Sequence, residues 1–131
     1  MTYLLDTHIW LWMLAAPQKL GARVQDLVTD TDNQLVLSVA SSWEIAIKYA
    51  IGRIALPQRP TLFVPKFMDA TGVRGLPIEH RHALAVAELP MHHRDPFDRI
   101  LVAQAQIEGM ALVTADSAFE AYDLELIRAA G

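Results

Sequence analysis

The 131-residue sequence contains no cysteine. Disulfides, thiolate metal sites and thiol nucleophiles are all excluded by that one absence. Long apolar runs are also scarce. The segment from Thr7 to Gln18 lacks Asp, Glu, Lys and Arg, but it carries His8 and Pro17 and is shorter than the ~20 apolar residues a bilayer crossing needs. Asp6 interrupts the first apolar run and no basic leader precedes it, so the expected compartment is the cytoplasm, with no membrane as partner. Basic residues are in the minority, 11 Lys and Arg against 15 Asp and Glu, a formal charge of −4 with histidines neutral. That balance argues against holding nucleic acid by bulk electrostatics, because phosphate backbones reward clustered Lys and Arg. It leaves a nucleic-acid enzyme open, since a total says nothing about arrangement. Repeats, low-complexity tracts and Gly/Ser linkers are missing as well. What is plentiful is apolar side chain, 53% of residues, which argues against disorder and suits one domain over residues 1–131.

Short apolar runs alternate with helical patterns. Thr2–Leu5, Gln34–Leu37, Val73–Ile78, Ala111–Thr114 and Leu124–Ile127 read as strands. Helices are expected over His8–Ala15, Ala22–Val28 with Leu27 and Val28 facing inward, Ser42 to about Ile51, and Pro96–Glu108, the last two stopped by Gly52 and Gly109. Pro57, Pro60 and Pro65 punctuate a connection before a helical stretch around Phe67, and further helical segments pass through Ala83–Ala87 and near Phe119. Short strands separated by helix-length segments point to βαβ units. The expected fold class is α/β, a mainly parallel sheet with helices on both faces, whose ligands bind beyond the carboxyl ends of the strands.

Four acids stand out by position. Asp6 and Asp116 follow strand ends, while Glu44 in Ser41-Ser42-Trp43-Glu44 and Asp98 in Asp95-Pro96-Phe97-Asp98 open helices. Each also has a structural account. Asp6 and Asp116 suit helix caps, Ser41 with Glu44 fits a capping box, and Glu44 with Lys48 fits an i,i+4 surface pair. Asp95 and Asp98 separate more clearly. Asp95 before Pro96 is a standard helix start. Asp98 lies one turn in, on the apolar row of Leu101, Val102 and Ala105, with no Lys or Arg on that row. A carboxylate facing the protein body is costly, and a bound cation would offset the cost. On a parallel sheet all four acids converge at one edge, where hard oxygen ligands favour Mg²⁺ or Mn²⁺. Paired divalent ions can activate water and stabilise the leaving oxygen in phosphodiester cleavage without a covalent nucleophile.

Four motifs occur in order: Leu4-Leu5-Asp6-Thr7-His8, Ser42-Trp43-Glu44-Ile45-Ala46-Ile47-Lys48, His93-Arg94-Asp95-Pro96-Phe97-Asp98-Arg99 and Val113-Thr114-Ala115-Asp116. Together they closely resemble the PIN-domain ribonuclease toxins of VapBC-type toxin–antitoxin pairs, from residue 3 to about residue 127. The resemblance implies an α/β/α sandwich with a PIN-like fold and a Mg²⁺- or Mn²⁺-dependent endoribonuclease site. It places the family's acidic quartet on Asp6, Glu44, Asp98 and Asp116. Asp6 and Asp98 would hold the principal metal, Asp116 would help bind it or a second ion, and Glu44 would orient or deprotonate water or ligate the second ion. Thr7, Thr114 and Ser117 are candidates for supporting hydrogen bonds, and Arg94 and Arg99 for phosphate contacts. Partners implied are structured RNA such as transfer or ribosomal RNA, a cognate antitoxin, and a second copy in a homodimer. With the quartet set aside, 11 acids face 11 bases on the rest of the chain.

Other features receive structural readings. His80-Arg81-His82 and His92-His93 lack HExxH spacing and thiolate partners, which argues against zinc, and His8 is expected to pack or hydrogen-bond locally. Trp10, Trp12 and Trp43 have the chemistry of a base-stacking surface but read as core residues of apolar helices. Ile45, Ala46, Ile47, Tyr49, Ala50 and Ile51 make one helix apolar on more than one face, either for a protein partner or for burial. The rival functions are a receiver-like signalling domain and a catalytically silent α/β binding module. A receiver needs a phosphoryl-accepting Asp at a middle strand's end and a late Lys, whereas Leu35-Val36-Leu37 runs into Ser38 and the last strand into Arg128.

Overall fold

The computed structural model describes residues 1–92 and 94–129, so His93 of the third motif lies outside the described residues. Five strands, β1 (Thr2–Leu5), β2 (Gln34–Ser38), β3 (Arg74–Leu76), β4 (Ala111–Thr114) and β5 (Leu126–Arg128), form one sheet in the order β3-β2-β1-β4-β5. Every pairing is parallel, with Leu4 opposite Val36 on one side and Leu112 on the other. The six α-helices are α1 (Thr7–Ala15), α2 (Gly21–Thr29), α3 (Val39–Ala50), α4 (Pro60–Thr71), α5 (His80–Ala85) and α6 (Pro96–Glu108). Short 3₁₀ turns at Pro17–Leu20, Val86–Glu88 and Ser117–Ala121 complete the described elements.

The period of two along each strand divides the core into two layers. Leu5, Leu35, Leu37 and Val113 point to one face, where Ile9, Trp10, Val24, Phe63 and Val64 of α1, α2 and α4 cover them. Leu4, Val36 and Leu112 point to the other, under Leu101, Val102 and Ala105 of α6. Helices on both faces and a fully parallel sheet make the α/β/α sandwich that the alternating pattern predicted, with the sheet parallel throughout. The topology also sets a crevice. From β1 the chain moves outward through β2 and β3, then returns to the opposite side of β1 as β4. The carboxyl ends of β1 and β4 therefore form the switch point at which open parallel sheets bind ligands.

Some boundaries differ from the sequence reading. α3 begins at Val39 rather than Ser42, because Ser38 at the end of β2 caps it by accepting the Ala40 N–H at 3.0 Å. Glu44 thus lies in the second turn, and the expected Ser41–Glu44 capping box does not form. The proline-rich connection is shorter than expected: Pro60 opens α4 and Pro65 lies inside it, tolerated where Phe63 and Val64 are buried. α6 matches its expected span, held between Asp95 at the start and Gly109, at φ 66°, at the end.

Candidate active site

The crevice at the switch point has a volume of about 350 Å³ and is lined by Asp6, His8, Trp12, Glu44, Lys48, Asp95, Asp98, Ala115 and Asp116. All four acids singled out in the sequence meet there, from four different parts of the chain. Asp6 comes directly off β1. It caps α1, with Oδ1 accepting the Thr7 N–H at 2.8 Å, while Oδ2 accepts the Thr114 hydroxyl of β4 at 2.8 Å. The Thr114 oxygen accepts the Asp116 N–H at 3.0 Å, so one threonine ties both strand-end acids together. Asp116 caps the following 3₁₀ turn through the Ala118 N–H at 2.9 Å. Structural and functional accounts of these residues are compatible. A cap fixes the carboxyl's position and leaves lone pairs for the crevice.

Glu44 is buried, and both its oxygens are engaged. Oε1 lies 2.7 Å from the Thr7 hydroxyl, which is also 2.8 Å from the Ser41 hydroxyl; Oε2 accepts from Lys48 Nζ at 2.5 Å. The Glu44–Lys48 pair is therefore no solvated surface pair. Lys48 projects into the crevice, where the carboxylates of Glu44, Asp95 and Asp98 raise its pKa, the hydrogen bond to Glu44 first among the causes. Sequence reasoning missed this lysine. The i,i+4 spacing indicated the pair but not that its acid is buried.

Asp95 and Asp98 behave as their positions suggest. Asp95 is the cap of α6, with Oδ1 accepting the N–H groups of Phe97 at 2.8 Å and Asp98 at 3.4 Å. Asp98 is half-buried, and its pKa is pushed up to about 8, by burial first and then by the charges of Asp95, Asp6, Glu44 and Asp116. Burial also raises the Asp6 pKa, against the lowering effect of the Thr114 and Thr7 hydrogen bonds and of His8. Carboxyls this crowded hold their negative charge at a cost that a cation removes. The donor set is all oxygen and includes buried, pre-oriented carboxylates, which fits Mg²⁺ or Mn²⁺ and not a soft metal.

The basic and aromatic candidates divide. Arg99 turns away from the crevice, against the expected phosphate contact. Its guanidinium donates to the carbonyls of Val86, Leu89 and Pro90 at 2.9, 3.4 and 3.0 Å, pinning that segment to α6. Arg94 is exposed. His8 packs locally as expected, edge to face with Trp12, while it stays exposed and lines the crevice. Trp10 is fully buried, as a core reading requires, but Trp43 is 57% exposed, edge-on to Phe97 at 5.2 Å. A second grouping, Glu79, His82 and Glu108, brings ligand atoms within 4.8 Å of one another. Arg81 already bridges both carboxylates at 2.8 and 2.6 Å, and the buried His82 accepts the Glu79 N–H on Nδ1, leaving Nε2 to donate to Glu108. It is a closed network fastening α5 to α6.

Residues 3–125 match the family model described as PIN domain. The chain is 30% identical over 120 residues to Ribonuclease VapC22 of Mycobacterium tuberculosis, covering 88% of this chain and 87% of that protein. It is 39% identical over 56 residues to Ribonuclease VapC16 of the same organism, a match that takes in 43% of this chain and only 40% of that protein. The fold is similar to that of Rickettsia felis VapBC2, solved with a DNA fragment of its promoter, at 17% identity and TM-score 0.72 over 98% of this chain and 99% of that one. It is likewise similar to Haemophilus influenzae VapBC-1, at 23% identity and TM-score 0.65 over 98% of both chains. The chain belongs to the PIN domain family and is homologous to the mycobacterial VapC ribonucleases.

Proposed function

We propose that this chain is a Mg²⁺- or Mn²⁺-dependent endoribonuclease acting as the toxin of a toxin–antitoxin pair, one nuclease domain over residues 1–131. The observation that carries the reading is the meeting of Asp6, Glu44, Asp98 and Asp116 in one crevice at the switch point, with the Asp98 carboxyl pushed up to about 8 by its surroundings. In this reading Asp6 and Asp98 hold the principal ion, and Asp116 helps bind it or a second one. When bound, the cation supplies Lewis-acid activation of water and neutralises charge at the phosphodiester. Thr114 fixes the Asp6 carboxylate in the crevice through its hydroxyl. Glu44, oriented by the Thr7 hydroxyl and by Lys48, takes the proton of the attacking water or shares in ligation. The proton lost by the attacking water passes on to solvent, and the leaving ribose oxygen takes one up from solvent as the P–O bond breaks, so the nucleophile is water throughout.

The substrate class is structured RNA, with transfer or ribosomal RNA foremost, and the working compartment is the cytoplasm. The relatives named as ribonucleases support the reaction, and the VapBC complexes among the similar folds support an antitoxin partner. A homodimer is supported by Val39, Trp43, Ile47 and Ile51, which are exposed at intervals of four along α3 and just past its end. The sheet order disfavours the receiver-like alternative, since receiver folds run 2-1-3-4-5. The purified protein is expected to cleave structured RNA, transfer or ribosomal RNA among it, with Mg²⁺ or Mn²⁺ and to stop in EDTA. Full cleavage in EDTA would overturn the metal mechanism, and inertness toward every RNA tested with either ion would overturn the nuclease reading.

A further inference from the structure

Besides the carboxylates, the crevice has a wall with different chemistry. His8 and Trp12 are one turn apart on α1 and both line the cavity, their rings edge to face with centroids 6.4 Å apart at 61°. Lys19, from the 3₁₀ turn that follows, places its ammonium 5.6 Å from the Trp12 ring centroid. Trp12 is only partly buried, in contrast to Trp10, which the same helix seals into the core. The two tryptophans point to different places because two positions along a helix turn the side chain through most of a half-circle. The Trp12 ring packs in part against the core and leaves the rest of its surface to the crevice beside the acids, where it is suited to stacking. The Trp12 wall also carries a positive charge of its own, the Lys19 ammonium, in addition to the Lys48 ammonium held by Glu44.

We propose that the His8–Trp12 wall is a nucleobase-stacking subsite, with Lys19 meeting the phosphate next to the base it holds. This assignment rests on the nuclease reading of the same crevice. The Trp12 face takes the base flanking the scissile phosphate, and that contact seats the phosphodiester over the acids. Stacking surfaces accept every base, so the subsite positions the strand without reading its sequence. A base paired within an A-form helix has both faces covered by neighbours, so the nucleotide held here is unpaired or turned out of its stack. Lys19 serves both partners. It lies against the ring in the free protein, and its flexible stem lets the ammonium meet a phosphate when a base takes the ring face.

The test is steady-state cleavage of a stem–loop RNA in Mn²⁺ by the wild type, Trp12→Ala and Trp12→Phe, repeated on strands with one abasic position moved through the unpaired loop. Trp12→Ala is expected to raise KM about tenfold or more, the scale of one lost base stack, with kcat within about threefold; Trp12→Phe retains most of the affinity. One abasic position should lower the wild-type kcat/KM by a similar factor and leave Trp12→Ala unchanged, a coupling that a merely structural tryptophan would not produce. A separate readout is tryptophan emission. Octaadenylate, with Ca²⁺ as the divalent ion, is expected to quench the wild type and not Trp12→Phe. An unchanged KM in Trp12→Ala, equal losses on intact and abasic strands, or a quench that survives in Trp12→Phe each overturns the subsite while leaving the nuclease reading in place. A wild type that cleaves no RNA overturns both.

Discussion

Asp95 and Asp98 are three residues apart on one helix start, yet their surroundings differ. The Asp95 carboxyl is committed to the N–H groups of Phe97 and Asp98, and asparagine caps a helix about as well as aspartate. Asp95→Asn is therefore expected to cost about 1 kcal/mol or less in thermal unfolding and to keep cleavage within about threefold. Asp98 is raised to about 8 by burial and by its acidic neighbours, the signature of a carboxyl whose charge needs a counterion. Asp98→Asn is expected to cut kcat/KM at least about 100-fold with the circular dichroism spectrum unchanged. Equal losses from both variants would erase the distinction between cap and ligand. Lys48 is the counterion the protein itself supplies, bonded to Glu44. Removing it by Lys48→Met should lower the metal-free melting temperature, because the buried Glu44 loses its partner. The same change removes a competing positive charge, so Mn²⁺ affinity by calorimetric titration should rise about five- to tenfold.

At the scale of elements, helix α3 shows what a sequence makes legible and what it does not. Its apolar excess is plain in Ile45-Ala46-Ile47-Lys48-Tyr49-Ala50-Ile51, and the helix divides that excess, with Ile45 buried and Val39, Trp43, Ile47 and Ile51 exposed. The strand-end acids were legible for a related reason: a parallel sheet forces residues just past β1 and β4 to one edge, whatever the intervening chain does. The α3 start was less so, because Ser38, Ser41 and Ser42 all have capping chemistry and only the end of β2 selects among them. Long side chains were least legible. Arg99 and Lys48 each reach about one helical turn from the backbone in any of several directions, and that direction is decided by their partners: the carbonyls of residues 86, 89 and 90 for one, a buried carboxylate for the other. The exposed α3 stripe carries the homodimer proposal. Ile47→Glu combined with Ile51→Glu is expected to convert a dimer to a monomer in light scattering, with the melting temperature of the monomer's own fold nearly unchanged, since surface changes shift stability by about 0.5 kcal/mol or less. A wild type that is monomeric at tens of micromolar would remove the dimer from the proposal.

For the whole molecule, clustering carboxyls at the switch point makes stability depend on pH in an unusual direction. Acid usually destabilises a fold by protonating paired carboxylates, as it would for Glu79, whose pKa Arg81 holds down. Asp98 and Asp6 are shifted the other way. Between the unfolded value of 3.8 and the folded value of about 8, the native Asp98 holds a proton that the unfolded chain has released. The stabilisation that protonation brings is full below about pH 4 and is lost as the pH rises toward 8. The metal-free protein is therefore expected to melt at a lower temperature at pH 8 than at pH 5.5. Asp98→Asn removes the charge at every pH, so it should flatten this slope and melt roughly 3–8 °C above the wild type at pH 8, a shift equivalent to ~1–2 kcal/mol in a domain of this size. Divalent cations bind the ionised carboxyls, so the gain in melting temperature from Mn²⁺ should grow from pH 5.5 to pH 8 in the wild type and shrink in Asp98→Asn. Differential scanning calorimetry at matched ionic strength separates these outcomes. A wild-type slope that Asp98→Asn does not flatten would place the strain in other groups, whereas a flattened slope with the Mn²⁺ response lost would tie the instability and the metal affinity of the crevice to one carboxyl.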